Sequence, residues 1–281
     1  MSSLLSLRDL HIGIRRKHRA EEIVRGVNLD VDAGEKVGIV GESGSGKTLT
    51  MLSVLRLLAS PPLSVLSGEV LLDGEDLATV DDRRLREVRG GDIAMVYQDP
   101  MSSLNPLLHV GSQIEETLRA HGTSHEAARE RTREVLVQVG LDDPDRVRMS
   151  YPHQLSGGMI QRVMIAMALS TSPRVLIADE PTTALDVTIQ RQILELVTSL
   201  QADTGMAVLW VTHDLGVVAS LVDRVSSCTR VASSRRRRLI SSSRARPTPT
   251  RRRCSSHCPD SAPRTAHHCT RSVVRRPTRR S

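Results

Sequence analysis

An eight-residue loop, GESGSGKT at positions 41–48, constrains this chain more than any other feature. It fits the pattern G-x-x-x-x-G-K-[ST], in which glycines let backbone N–H groups wrap closely around a chain of phosphates. An apolar run at 37–40 precedes the loop and a helix-like run follows it, as this pattern requires. The candidate phosphate-binding residues are Gly41, Glu42, Ser43, Gly44, Ser45, Gly46, Lys47 and Thr48.

The two last residues of the loop predict the chemistry of the site. Lys47 is expected to reach the β- and γ-phosphates of a nucleoside triphosphate, and the Thr48 hydroxyl is expected to hold Mg²⁺. The alternative, a glycine-rich turn without a ligand, does not explain why the strand, loop and helix signals occur in this order.

Charge divides the chain into two unlike parts. Residues 226–281 contain 16 arginines, no lysine and one acid, a formal charge of +15, which leaves −8 on residues 1–225 of the total of +7. All four cysteines lie in the basic part, so no cysteine chemistry is expected in residues 1–225. No run approaches the roughly 20 apolar residues of a membrane span, and no signal peptide is evident at the start.

Strand and helix signals alternate through residues 1–225, which predicts an α/β fold with a substantially parallel sheet. Strands are predicted at 3–10, 27–31, 36–40, 69–72, 92–96, 174–178 and 207–211, and helices at 47–58, 110–119, 124–139, 156–169 and 188–202. Strand signals are absent between 99 and 155. We therefore expect an α/β core in residues 1–98 and 171–225, with an inserted helical subdomain at 99–170.

Two acids follow the apolar run at 174–178. A carboxylate at the end of a buried strand is costly unless it meets a cation or a metal ion, so Asp179 is a candidate support for Mg²⁺. Glu180 is a candidate general base that polarises the attacking water. A turn acid that caps the next segment is the alternative, and the intact phosphate loop disfavours it. The sequence LSGGM at 155–159 opens a further helix, where an ordinary N-cap is the alternative to an anion-binding helix start.

Five elements in order resemble the ATP-binding subunit of ABC transporters: GESGSGKT, Gln98 in VYQDP, LSGGM, VLIADEP and His213 in VTHD. The resemblance covers residues 4–225. It implies that Gln98 senses Mg²⁺ and the γ-phosphate and that His213 holds the γ-phosphate. It also implies that Ser156, Gly157 and Gly158 close over ATP bound by a second subunit, and that Asp186 contacts across that interface.

The phrases YQDPMSSLNP at 97–106 and ALDVTIQ at 184–190 resemble the lineage that imports dipeptides and oligopeptides, with nickel importers close by. That resemblance implies an ATPase on the cytoplasmic face of the membrane, as a peripheral subunit. Its partners would be two membrane permease subunits, a second identical or homologous ATPase subunit and, indirectly, an extracytoplasmic solute-binding protein. The alternative is a soluble ABC ATPase that acts on nucleic acid or the ribosome.

The chain departs from the family pattern at two positions beside the ligand. Family members carry an aromatic ring that stacks on adenine near residue 18, where this chain has His18 in a basic stretch. Ile160 stands where the family usually has arginine, beside the two glycines of LSGGM. Both departures concern contacts to the nucleotide.

After Val225 the resemblance stops, and residues 226–281 form an Arg/Ser-rich tail that is expected to be disordered because its charge is high and its apolar content low. Binding of the arginine run 235–238 to nucleic acid or anionic lipid is one reading of the tail, and the reading-frame hypothesis below disfavours it, so that nucleic acid is not expected as a partner. Zinc ligation by Cys254, Cys258 and nearby histidines is another. Loss of the usual strand after Val225 is expected to leave the sheet edge beside 207–211 unpaired, which would destabilise the product.

Our hypothesis for the origin of the tail is a one-base change of reading frame near codon 225. Residues 227–232 permit codons that read Met-Tyr-Ala-Gly-Arg in the shifted frame, and residues 247–251 permit His-Pro-Tyr-Thr in the same frame. Both phrases resemble the continuation of family members, at a plausible spacing. Sequencing the gene tests this prediction: the codons should spell both phrases in the shifted frame, and any other reading there would end the hypothesis.

Overall fold

Nine strands and eight helices make up the part of the chain that the computed structural model describes, residues 3–16, 19–182, 185–214, 216 and 221–227. The strands are β1 (Leu5–Arg16), β2 (Arg19–Val31), β3 (Lys36–Val40), β4 (Leu63–Leu72), β5 (Glu75–Asp76), β6 (Ile93–Val96), β7 (Val175–Asp179), β8 (Ala207–Thr212) and β9 (Arg224–Ser227). The helices are α1 (Lys47–Val54), α2 (Asp82–Val88), α3 (Pro100–Ser103), α4 (Val110–Ala120), α5 (His125–Gln138), α6 (Pro144–Arg148), α7 (Gly157–Leu169) and α8 (Val187–Thr204). A 3₁₀ turn at Pro152–Gln154 precedes α7.

The strands form two sheets, which confirms the α/β class but corrects the expected arrangement. The five-stranded sheet has the order β6-β7-β8-β3-β9 and is parallel, as predicted. The other four strands form a separate antiparallel sheet with the order β2-β1-β4-β5. The short connection between β1 and β2 permits only antiparallel pairing. Polar residues in 11–26 hide the alternation of both strands, so the sequence predicted only their ends.

The parallel sheet is covered on both faces, since every residue of β7 and β8 is buried. Side chains alternate between two apolar clusters along these strands. Val175 and Ile177 join a cluster that contains residues of both sheets, whereas Leu176 and Ala178 join a cluster with α4, α5, α7 and α8. Burial on both faces explains why the sequence of β7 is a continuous apolar run that ends abruptly in acids.

The sequence predicts an unpaired sheet edge beside residues 207–211, but the strand that contains these residues is internal. β8 lies between β7 and β3, and the outermost described strand on that side is β9. β9 pairs with β3 from Val37↔Arg224 to Val40↔Ser227. The Arg224 guanidinium donates to both carboxylate oxygens of Glu35, at 2.8 and 3.1 Å, and this hydrogen bonding raises the Arg224 pKa. The expectation was wrong because β3 lies between β8 and the last strand. Ser226 and Ser227, the first two residues of the tail predicted to be disordered, instead pair with β3 as the end of β9. The rest of the predicted tail, residues 228–281, lies outside the described residues.

Five helices, α3 to α7, occupy the stretch between β6 and β7, which contains no strand. An ion pair between Glu115 and Arg148 links α4 to α6 at 3.2 Å, with both side chains less than 15% exposed. Gly111 allows this approach, since a Cβ at that position would lie 2.0 Å from Arg148 Cγ. In the described part of the chain no helix is long and apolar enough to span a membrane.

Gly111→Ala tests this packing. The added methyl group would force Arg148 and its backbone carbonyl to move, so we expect a loss of about 1–3 kcal/mol in the free energy of unfolding. Gly157→Ala is the matched control, because a Cβ there would meet nothing nearer than Leu185 Cδ2 at 3.8 Å. Denaturant titration measures both; equal stability of the two variants would contradict the packing described.

Candidate functional site

The phosphate loop joins the end of β3 to the start of α1, as its sequence predicts. Gly44 and Gly46 adopt φ angles of 74° and 94°, which favour glycine. Position 46 requires glycine for a second reason, because a Cβ there would lie 2.6 Å from Cγ2 of Val24 on the antiparallel sheet. Lys47 is buried, and its Nζ donates to the carbonyls of Gly41 at 2.8 Å and Glu42 at 3.0 Å. The loop backbone therefore surrounds the Lys47 ammonium group at the N-terminus of α1.

Asp179 ends β7 beside this loop and is 2% exposed. Burial is the main cause that raises its pKa, and the nearby Glu180 carboxylate raises it further. A hydrogen bond from Thr48 and the charge of Lys47 act in the opposite direction. Its Oδ1 atom has no hydrogen-bond partner among the described residues. A buried carboxylate with one unpaired oxygen is suited to a cation.

Glu180 lies directly after this strand in a strained backbone conformation, with φ of 46°. Its Oε2 atom receives a hydrogen bond from Gln98 Nε2 at 3.2 Å and lies 3.2 Å from Nδ1 of His213. Glu180 is 13% exposed and His213 53% exposed, so the cluster lies at the protein surface. The strands β6, β7 and β8 end at one edge of the parallel sheet, which is why residues 98, 180 and 213 meet there.

Ser156 and Asp186 each cap a helix. The Ser156 hydroxyl accepts from Met159 N at the start of α7, and Asp186 Oδ1 accepts from the N–H groups of Thr188 and Ile189 at the start of α8. The two helix starts are in contact: a Cβ at Gly158 would lie 3.1 Å from Ile189 Cγ2. The sequence left two alternatives for Ser156, an ordinary N-cap and part of an anion-binding helix start. Ser156 does cap α7, and this role is compatible with anion binding at the same helix start.

The predicted site residues thus fall into two groups. Lys47, Thr48, Gln98, Asp179, Glu180 and His213 form one connected cluster. Ser156, Gly157, Gly158 and Asp186 form the other, at the paired starts of α7 and α8. Within the residues that are described, no hydrogen bond joins the two groups. The sequence predicts both groups, and the resemblance assigns the second group to ATP bound by another subunit.

Sequence reasoning missed the supporting apolar contacts. Val24 against Gly46, Leu185 against Gly157 and Ile189 against Gly158 involve residues far apart in sequence or without a distinctive pattern. Ile160 is 3% exposed and belongs to the larger apolar cluster, so an apolar residue suits its position. His18, the position expected to meet adenine, lies outside the described residues.

The residues present fit a magnesium nucleotide. The unpaired Asp179 oxygen beside the Thr48 hydroxyl offers hard oxygen ligands of the kind that Mg²⁺ prefers. The loop offers backbone N–H groups at a helix start, where an anion is stabilised. The Lys47 ammonium group carries three protons and donates to two loop carbonyls here, so its charge already lies inside the loop where a phosphate would bind.

Asp179→Asn tests the electrostatics of this site. Because the pKa of Asp179 is higher in the folded chain than in the unfolded chain, its ionised form costs stability at neutral pH, and the cost vanishes as the pH falls below the ordinary value near 3.8. The variant is therefore expected to melt about 2–4 °C higher at neutral pH without Mg²⁺, with a gain that shrinks toward acid pH. Asp142→Asn, at an exposed bend, is the control and should change little. A lower melting temperature for Asp179→Asn at neutral pH would contradict the burial cost.

Known proteins resemble this chain over most of its length. The chain is 51% identical over 228 residues to the peptidoglycan transport ATP-binding protein YejF of Agrobacterium fabrum, covering 81% of this chain and 42% of that protein. It is 48% identical over 227 residues to the oligopeptide transport ATP-binding protein OppD of Bacillus subtilis, covering 80% of this chain and 63% of OppD. The chain thus spans less than two thirds of the length of these two relatives.

Solved structures of the same fold exist. The dimeric, post-hydrolysis state of the ATP-binding cassette MJ0796 bound to ADP and Pi is 31% identical and superposes with a TM-score of 0.70. The match covers 84% of this chain and 99% of that cassette. The family model of the ABC transporter matches residues 24–183. The chain therefore belongs to the ABC transporter family.

Proposed function

We propose that this chain is an ATP-hydrolysing subunit that energises import of dipeptides, oligopeptides or a related solute such as nickel. The observation that carries the proposal is the Glu180 carboxylate, held by Gln98 and His213 next to the Asp179, Thr48 and Lys47 cluster. The printed functions of YejF and OppD, both transport ATP-binding proteins, support the transport role. No relative named in the comparisons favours the alternative of a soluble ATPase that acts on nucleic acid or the ribosome.

Each residue of the cluster has a task that follows from its chemistry. Lys47 and the loop from Gly41 to Thr48 bind the phosphates, and Thr48, Asp179 and Gln98 hold Mg²⁺. The ion, when bound, neutralises charge on the β- and γ-phosphate oxygens. Glu180 accepts the proton of the attacking water, and His213 donates a hydrogen bond to the γ-phosphate.

Gln98 donates from Nε2 to Oε2 of Glu180, and Nδ1 of His213 lies 3.2 Å from the same oxygen. The Gln98 carbonyl oxygen and the His213 Nε2 atom take no part in these contacts. Each side chain can therefore position Glu180 through one atom while its other polar atom serves Mg²⁺ or the γ-phosphate.

A second ATPase subunit, identical or homologous, completes the site. Ser156, Gly157 and Gly158 lie at an exposed helix start whose N–H groups suit a phosphate, and Asp186 lies beside it at the start of α8. These residues would close over the ATP of the partner subunit. The dimeric state described for MJ0796 supports this arrangement. Closure follows if ATP binds the closed pair more tightly than the open one.

The remaining partners follow from the transport role. We propose two membrane permease subunits as direct partners, an extracytoplasmic solute-binding protein as an indirect one, and a peripheral position on the cytoplasmic face of the membrane. Residues 1–98 and 171–225 would form the ATPase core, and 99–170 the helical subdomain. Residues 226–281 remain a proposed product of a shifted frame, and loss of the proper tail would compromise activity.

Glu180→Gln tests the assigned base. The amide keeps the shape of the side chain but cannot take a proton, so hydrolysis should fall by about 100-fold or more while ATP binding persists. Phosphate release measures turnover, and equilibrium titration with ATP measures binding. Glu130→Gln, at an exposed position of α5 away from the loop, is the control and should retain turnover. Unchanged turnover in Glu180→Gln would remove Glu180 from this role.

A further inference from the structure

Three glutamines are buried within helices of the described chain, and two of them have hydrogen-bonded amides. Gln113 on α4 accepts from the N–H of Asn105 and donates to the carbonyls of Asn105 and Leu108, at 2.9–3.1 Å. Gln201 on α8 donates from Nε2 to the carbonyls of Gly34 and Met206. Hydrogen bonds within the protein therefore replace those that Gln113 loses to burial, and they replace those of the Gln201 Nε2 group.

Gln161 on α7 is the exception. Its side chain is 0% exposed, and neither Oε1 nor Nε2 has a hydrogen-bond partner among the described residues. An amide that is buried without partners loses its interactions with water and gains nothing in return. Replacement of such a group by an apolar one normally stabilises a protein. The unpaired amide therefore points to a second state of the chain in which the Gln161 amide has hydrogen-bond partners.

The position of Gln161 shows which movement would change its surroundings. It lies one helical turn from Gly157 and Gly158, at the start of α7. The neighbouring Arg162 donates to the Val139 carbonyl at the end of α5 and to Gln192 on α8. Ile189 on α8 fills the space over Gly158. The first turns of α7 are thus held between α5 and α8, and the packing of α7 against these helices decides what the amide meets.

We propose that Gln161 is a positioning residue whose amide finds its hydrogen-bond partners when α7 repacks as the start of that helix closes over ATP in a pair of subunits. The unpaired amide then raises the free energy of the open state, and its pairing lowers that of the closed state. Both effects favour closure, because a ligand shifts an equilibrium only through a difference between the two states. The inference rests on the proposed ATP-dependent pairing of subunits.

Gln161→Met, which has a similar length and shape but no amide, tests the inference by two readouts with opposite signs. The nucleotide-free variant should melt about 2 °C or more above the parent, since an unpaired buried amide is removed. In the Glu180→Gln background, which prevents turnover, its ATP-dependent dimerisation should weaken about tenfold, as expected for loss of one buried hydrogen-bonded group. Differential scanning calorimetry and sedimentation velocity with MgATP measure the two effects.

Gln113→Met is the matched control, because it removes a buried amide of the same subdomain that is fully bonded. Gln113→Met should lower the melting temperature. The folded molecules of this variant should dimerise with ATP as strongly as those of the parent. A merely structural role for Gln161 predicts that neither variant changes ATP-dependent dimerisation.

The outcomes separate this inference from the proposed function. If Glu180→Gln alone fails to dimerise with MgATP, the proposed pairing of subunits fails. If it dimerises and the Gln161→Met double variant dimerises equally well, the inference is overturned. A lower melting temperature for nucleotide-free Gln161→Met overturns it too, because the amide must then be paired in the open state.

Discussion

The arrangement of the site depends on one costly placement, the burial of the Asp179 carboxylate at the end of β7. Strand β7 lies inside a parallel sheet that is covered on both faces, so an acid at its end is withdrawn from water. Thr48 and Lys47 offset part of that cost, and one carboxylate oxygen remains unpaired. The sheet therefore holds a negative charge next to the phosphate loop, ready for a cation, and the stability of the apo chain is lower as a consequence.

The carboxyl-terminal ends of neighbouring parallel strands bring together the proposed catalytic side chains, which are not adjacent in sequence. Gln98, Glu180 and His213 follow β6, β7 and β8, which are neighbours in the sheet, and so three separate segments of the chain meet at a single carboxylate oxygen. Glu180 has a positive φ angle at this point. The second group, at Ser156 and Asp186, lies where α7 and α8 meet in apolar contacts, and no hydrogen bond among the described residues joins it to the first cluster. Under the proposed function these two groups are complementary parts of a site that a pair of subunits completes.

Local signals in the sequence predicted the phosphate loop, the parallel strands and the helix starts, because glycine pattern, apolar runs and capping residues are local properties. Ser156 and Asp186 occupy the capping positions that their residue types favour. The antiparallel sheet was missed, since its long strands carry charged residues on an exposed face and their pairing depends on distant partners. The sharing of Glu180 Oε2, the contact of Val24 with Gly46 and the unpaired amide of Gln161 are tertiary facts with no local signal. The position of β9 was misjudged because the boundary of the resemblance was taken as the boundary of the strand.

The central claim is that the buried acid and the lysine-bearing loop bind one magnesium nucleotide together. Calorimetric titration of the folded, full-length chain with ATP, with and without Mg²⁺, tests it most directly when repeated on Lys47→Ala. The account predicts that Mg²⁺ strengthens binding to the parent chain and that Lys47→Ala loses most of the affinity. A folded parent chain that binds no ATP in the presence of Mg²⁺, or a Lys47→Ala variant that binds as tightly as the parent, would contradict it.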